Sequence, residues 1–249
     1  MHIPDGYLSP QTYLPLIGIM LPLWAKASRV LKKSLRARHV PLFALSSAFS
    51  FVIMMFNVPI PGGTTGHATG AALVSILLGP WAAILSVSIA LIIQALLFGD
   101  GGITAIGANC FNIAVVIPVS AHLIYRMVSI KAPLNNFRRV VAGAIAGYIG
   151  LNLSAALTGF ELGIQPIIAH NAAGQPLYSP FPLQIALPAM TVGHILMFGF
   201  VEAFVTGLVL FYFQRTDLSM LRLNQPATAP NISQSASTVR LNPKVSESQ

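Results

Sequence analysis

The sequence predicts an all-α polytopic membrane protein, a bundle of about seven transmembrane helices, and three observations carry that reading. Of 249 residues, 55% are hydrophobic and only 8% are charged, where a soluble domain carries about 25% charged residues. The apolar runs are cut by Gly, Pro and charges into pieces of about 20 residues, the length that crosses a bilayer. All 14 Lys and Arg fall on one side of a seven-helix reading. Backbone groups left unpaired in lipid are too costly, so such runs fold as helices.

Taken in order, the helices are expected over Gln11 to Leu31, Val40 to Asn57, Gly66 to Leu78, Trp81 to Phe98, Ala108 to Met127, Arg138 to Phe160 and Gln184 to Phe213. The third is too short to span upright and is expected to be tilted or sunk in the protein. Connection 1–2 holds Lys26, Arg29, Lys32, Lys33, Arg36 and Arg38. Connection 5–6 and its helix ends hold Arg126, Lys131, Arg138 and Arg139. The C-terminal segment holds Arg215, Arg222, Arg240 and Lys244. The opposite connections carry Asp5, Asp100 and Glu161 but no Lys or Arg. The positive-inside rule then makes the basic side cytoplasmic, with the N-terminus outside and the C-terminus inside. Residues 1–215 form the expected membrane domain. Residues 216–249 read as a polar, mostly disordered cytoplasmic tail. No basic n-region precedes the first apolar run and no small-residue cleavage site follows it, so no leader is expected to be removed. The large His2 side chain also disfavours removal of Met1.

Composition excludes several chemistries. The single Cys110 rules out an internal disulfide framework and a multi-thiolate zinc site; it reads as a small buried hydrophobe. No G-x4-G-K-[ST] phosphate loop occurs. No carboxylate pair has hydrolase spacing and no nucleophile elbow is recognisable, so no enzymatic activity is expected. The net charge of +8 is a matter of topology rather than of nucleic-acid binding.

What remains is a metal constellation. A chain that begins Met-His offers a terminal amine, the His2 backbone nitrogen and the His2 imidazole to one ion. Fused chelate rings force these three nitrogens nearly into one plane. His67 sits in Pro59-Ile-Pro-Gly-Gly-Thr-Thr-Gly-His-Ala-Thr-Gly70, on the same side as His2, and is a candidate fourth donor. Planar nitrogen ligation suits Ni(II) or Cu(II), whereas Zn(II) prefers tetrahedral ligands. Binding would release protons, so affinity is expected to fall with acidity. The bland alternative is a frayed terminus. Against it, Asp5-Gly6 favours a tight reversal, and Ile3 and Tyr7 are suited to plug the terminus into the bundle.

Candidate supporting residues are Asp5, Asp100, Asn109, His194 and Glu202. Asp100 lies in the Gly-rich FGDGGITAIGAN loop, where it can attract cations or tie the loop by accepting N–H bonds. Glu202 is the only acidic residue inside an expected span, and intramembrane carboxylates usually mark function or a paired interior site. His122 and His194 read as packed intrahelical histidines, His39 as interfacial and His170 as solvated. Gln94, Asn109, Asn112 and Asn152 read as helix–helix hydrogen bonders. The scattered Met read as gap fillers. Gly66-x3-Gly70 and Gly143-x3-Gly147 would allow close helix approach.

Four separated segments, MHIPDGYLSP, NVPIPGGTTGHATG, QALLFGDGGITAIGAN and HILMFGFVEAFVTGLVL, together resemble the NikM/CbiM family over roughly Met1 to Arg215. These are substrate-binding (S) components of energy-coupling factor (ECF) transporters for nickel and cobalt in prokaryotic cell membranes. The resemblance implies an N-terminus inserted into the bundle, with Met1, His2 and His67 as metal ligands. It implies Ni(II) as transported substrate, with Co(II) as the alternative, and no prosthetic group. It further implies a transmembrane coupling (T) component, two cytoplasmic ATP-binding subunits and often a small auxiliary membrane component. The first ten residues and the GTTGH segment look like the nickel branch. A stand-alone secondary permease is the competing class. It would need intramembrane acidic or His clusters, and the H-x4-D-H signature of such permeases is absent.

Overall fold

In the computed structural model, residues 1–34, 40–60 and 64–223 are described. Helix α1 is Pro10–Ser34 and α2 is Val40–Met55. A short antiparallel hairpin follows, β1 (Val58–Ile60) and β2 (Thr64–Gly66), in the register Val58↔Gly66 and Ile60↔Thr64. Helix α3 is Ala71–Leu78. Four long helices complete the bundle: α4 (Pro80–Phe98), α5 (Ile106–Val128), α6 (Arg138–Ile168) and α7 (Leu183–Thr216). With α1 these make five helices long and apolar enough to cross a membrane. Helix α2 is apolar but shorter, and α3 is buried from Ala71 to Leu77, so the third helix is sunk in protein as expected.

Helices α4, α5 and α7 each contain a π-helical stretch: Gln94–Phe98, Cys110–Val116 and His194–Phe198. A π turn widens the helix and redirects its side chains, and such turns recur at functional sites. Gln94, Asn112 and His194 sit in them, and all three are buried. Helices α6 and α7 pack closely through glycine: a Cβ on Gly143 would lie 2.1 Å from Leu210 Cδ1. Met20, Met54 and Met190 fill the main core, and Cys110 is buried within it.

Several expectations need correction. Helix α3 begins at Ala71 rather than Gly66. Gly66 closes the hairpin, and Gly70 takes φ +67°, a left-handed conformation that costs glycine least. Gly66-x3-Gly70 is therefore not a helical packing motif. Helix α6 runs beyond Phe160, so Glu161 is not in an outside connection. It is 5% exposed, within the helix, and accepts a 2.7 Å hydrogen bond from Asn112 Nδ2. Glu202 is thus not the sole acidic residue in an apolar helix. The folded part also passes position 215: α7 ends at Thr216, a 3₁₀ turn spans Met220–Arg222, and Leu221 joins the core. Asn152 Nδ2 donates to Tyr148 O of its own helix rather than across to another. His39 and the polar tail from position 224 lie outside the described residues.

Candidate metal centre

The first nine residues thread into the bundle instead of fraying. Met1 and Ile3 are 0% exposed and His2 is 4% exposed. Their backbone is matched almost group by group. The Met1 amine donates to Thr65 O of the hairpin. Thr64 Oγ1 donates to His2 O at 3.1 Å. The Asn109 side chain grips Ile3 from both sides, Oδ1 accepting from Ile3 N at 2.8 Å and Nδ2 donating to Ile3 O at 3.0 Å. Gly102 N donates to that same carbonyl at 2.8 Å.

The Asp5-Gly6 reversal follows, with Gly6 at φ +80°. Asp5 accepts from Ile103 N, Thr104 N and the Thr104 hydroxyl at 3.0, 2.9 and 2.6 Å. These donors hold its carboxyl below the usual value of 3.8, the Thr104 hydroxyl contributing most. The loop can come this close because residue 102 is glycine: a Cβ there would lie 2.5 Å from Asp5 N. Gln165 then accepts from Ser9 N at 2.9 Å, and Tyr7 O accepts from Ser179 N at 3.1 Å. The segment is therefore tied to α5, to α6 and to the loops after α4 and α6.

Against this saturation stand several nitrogens that make no hydrogen bond. The His2 backbone N–H makes no hydrogen bond among the described residues. Both His2 ring nitrogens and His67 Nε2 are buried without hydrogen bonds. The two rings stack, with centroids 4.6 Å apart and planes 23° from parallel. The His67 Nδ1–H has Ala68 O at 3.0 Å, an arrangement that leaves Nε2 as a free lone pair. Burial pushes the terminal amine down to about 4, a shift partly opposed by the Asp100 charge. Burial and the nearby terminal charge push His2 down to about 3, and His67 lies well below its usual 6.5 for the same reasons. Burial thus favours the neutral, lone-pair-bearing form of the amine and of both imidazoles. Leaving buried polar atoms unpaired normally costs about 1–3 kcal/mol each. Concentrating them around one amine makes chemical sense for a cation.

The supporting residues divide. Asp100 Oδ1 lies 3.3 Å from His2 Nδ1, with the side chain 18% exposed, and Asp100 Oδ2 accepts from Asn57 Nδ2 at 3.3 Å. Tying the loop by backbone N–H bonds falls to Asp5 instead. Burial raises the Asp100 carboxyl above 3.8, with the terminal amine and Asn57 opposing. Asn109 is the clamp on Ile3 rather than a helix–helix bond. His194 is 0% exposed; its Nδ1 pairs with Met190 O at 2.7 Å and its Nε2 is another unpartnered nitrogen. Glu202 reaches the segment just after His67 and accepts from Thr69 N at 2.6 Å and Gly70 N at 3.0 Å. His122 is half-buried and His170 exposed. No three His, Cys, Asp or Glu side chains converge on a metal position among the described residues. An ion here would need the amine and backbone nitrogen as well. Sequence reasoning missed Thr64, Thr65 and Asn57, whose roles depend on a hairpin that three-residue strands barely signal.

The family model described as the cobalt uptake substrate-specific transmembrane region, CbiM, matches residues 2–220. This chain belongs to the CbiM family. A fused nickel transport protein, NikMN, from Rhodobacter capsulatus is 49% identical to the CbiM-family chain over 230 residues, covering 92% of this chain and 66% of that protein. A putative metal transport protein of Methanocaldococcus jannaschii is 44% identical over 216 residues, covering 86% of this chain and 92% of that protein. The cobalt transport protein CbiM of Clostridium cellulovorans is 36% identical over 169 residues, covering 66% of this chain and 62% of that protein. The chain spans about two thirds of the length of the fused nickel relatives, 66% and 65%. A crystal structure described as a transition metal transporter superposes with a TM-score of 0.84 at 49% identity, covering 95% of this chain and 98% of that one. A truncated transition metal transporter gives 0.81 at 52% identity, over 86% and 98%.

Proposed function

We propose that this chain is the metal-capturing S component of an ATP-driven ECF importer. It takes Ni(II) from outside the cell into a four-nitrogen site made by the Met1 amine, the His2 backbone nitrogen, the His2 imidazole and His67 Nε2. The single observation that carries this reading is the group of buried nitrogens without hydrogen bonds near the terminal amine. Closing a plane of four nitrogens requires one imidazole to rotate out of the 4.6 Å stack.

The chelate also balances charge. A divalent ion on a deprotonated amide carries one net positive charge, and the Asp100 carboxylate stands 3.3 Å from His2 Nδ1 to offset it. In a weakly polarisable interior such a pairing is needed, because an isolated charge there is heavily penalised.

Nickel is preferred over cobalt because the 49% and 45% identical relatives are named for nickel and the 36% identical ones for cobalt. Planar nitrogen donors also favour Ni(II). Co(II) is the second reading, supported by the family description. A T component and two ATP-binding subunits would supply the energy, and a small auxiliary membrane component would complete the complex. The N-terminus faces outward in this arrangement and the C-terminus faces the cytoplasm.

The test titrates the purified protein with Ni(II) alone. One equivalent is expected to give the absorption of diamagnetic planar Ni(II). One residue added before Met1 is expected to abolish it, because the amine would be displaced from its buried position. Unchanged affinity in the extended protein would sink the chelate. Uptake that persists without the ATP-binding partners would favour a secondary permease.

A further inference from the structure

Glu202 takes no part in the proposed chelate, yet it is 0% exposed and makes the most direct link between α7 and the His67 segment. Its Oε2 accepts from Thr69 N at 2.6 Å and Gly70 N at 3.0 Å, and its Oε1 accepts from the Thr69 hydroxyl at 3.4 Å. Successive backbone N–H groups beside a left-handed glycine form a concave anion cradle. Glycine at the N-cap gives α3 no side-chain cap of its own, so the carboxylate satisfies amides that would otherwise be orphaned. Among the described residues no Lys or Arg pairs with Glu202.

We propose that Glu202 is a positioning residue for metal binding: by clamping Thr69 and Gly70 it fixes where the His67 imidazole stands. The inference rests on His67 being a ligand. The path is short. Thr69 donates two hydrogen bonds to Glu202, from its N–H and its hydroxyl. Ala68, its neighbour, supplies the carbonyl 3.0 Å from His67 Nδ1, the contact that leaves Nε2 available. Gly70 itself packs closely against Phe49, whose Cε1 would lie 2.3 Å from a Cβ at that position. Glu202 is in turn braced against α6, where a Cβ on Gly147 would lie 3.3 Å from Glu202 O and 3.4 Å from its Cγ. Substitution by Gln keeps the shape but replaces the carboxylate by a neutral amide, whose oxygen accepts from Thr69 N and Gly70 N more weakly than a charged one does. Such a change loosens the clamp without removing bulk.

The experiment compares wild type, E202Q, H67A and the double variant, titrated with Ni(II) alone and read by affinity and visible absorption. E202Q is expected to weaken binding by at least about tenfold, the range for residues that orient a ligand, and to move the absorption toward that of H67A. In the H67A background E202Q is expected to add less than about twofold, as coupled positions are non-additive. A loss as large in H67A as in wild type would overturn the proposal, and so would an E202Q spectrum and affinity equal to wild type. A second readout needs no nickel. The ¹⁵N resonances of His67 report its tautomer, and E202Q is expected to shift them while those of the exposed His170 stay in place. Failure of wild type to bind Ni(II) would defeat the metal reading, and the His67 resonances would still decide whether Glu202 positions the ring. If E202Q does not fold, E202D is used, which keeps the charge but withdraws it by one methylene. It is expected to show the same shift in smaller measure, and an unmoved His67 would overturn the proposal.

Discussion

Residues 1–2 and residues 3–9 belong to one buried segment but are built by opposite rules. From Ile3 to Ser9 the segment is anchored repeatedly, its backbone by Asn109, Gly102, Ser179 and Gln165 and the Asp5 carboxylate by Thr104. At Met1 and His2 the chain is hydrogen-bonded to its hairpin through Thr64 and Thr65, and the His2 amide and the His2 ring nitrogens make no hydrogen bond, Nδ1 meeting only the Asp100 carboxyl at 3.3 Å. Folding alone does not reward the second pattern, since each orphaned buried group costs free energy. The first pattern stabilises the segment, and the second leaves free the atoms that the proposed chelate would use. Spatial proximity to the bundle is common to both, so burial alone does not distinguish ligand from anchor. Hydrogen-bond satisfaction does.

That contrast breaks most sharply at His2. Replacing it by Ala removes an imidazole from the donor end and leaves the anchors intact. Nickel affinity is expected to fall more than about 1000-fold, roughly 4 kcal/mol, with little change in thermal stability. Calorimetric titration beside a melting curve checks both. A parallel loss of stability would mean that His2 is an anchor after all. His67→Ala comes next. It deletes only the donor outside the chelate rings, so the expected loss is about 100-fold, with three nitrogens still visible in the spectrum.

Asn109 tests the other half of the comparison. Asn109→Leu keeps the bulk but strands Ile3 N and Ile3 O, both buried. Stability is expected to drop by about 1–3 kcal/mol and nickel affinity by roughly tenfold, because the terminus loses its register. Hydrogen exchange at the Ile3 amide, protected in wild type, is expected to become fast. A loss of binding with no loss of protection would place Asn109 among the donors instead.

The proposed donors are easier to read in the sequence than the anchors. His2 and His67 stand out because their side-chain chemistry is explicit, and the chelate follows from covalent connectivity alone. The long apolar helices were equally plain, since their limits are set by Gly, Pro and charge. Anchors are harder, because an amide such as Asn109 has the same composition whether it grips a neighbouring helix or a terminus. The DGG run was informative only in part. Gly102 is required by the approach of Asp5, 2.5 Å from a would-be Cβ, but nothing local names Asp5 as the partner. The β-hairpin falls in an expected connection, with only Gly66 assigned to a helix, because strands of three residues each leave little pattern in the sequence. The limit of α6 was misplaced because an acidic residue was taken to end it, when Asn112 lets Glu161 stay inside.

The smallest effect is expected at Asp5, and its pH dependence sharpens the comparison further. Its carboxylate is largely solvent-exposed but holds the Thr104 hydroxyl and two backbone amides, which lower its pKa below 3.8. A carboxyl depressed in the folded state stabilises the fold at pH above its unfolded value. That contribution is lost as pH falls through the lowered value. Asp5→Asn is therefore expected to cost a little stability at neutral pH, and to shift nickel affinity by less than about threefold since screening weakens exposed pairs. Below the lowered value the two proteins should converge, because wild type has then lost the charge too. Thermal melts of both forms from pH 7 down to strong acid give the result. If the gap between them stays constant with pH, the Asp5 charge contributes nothing and its shape alone anchors the turn.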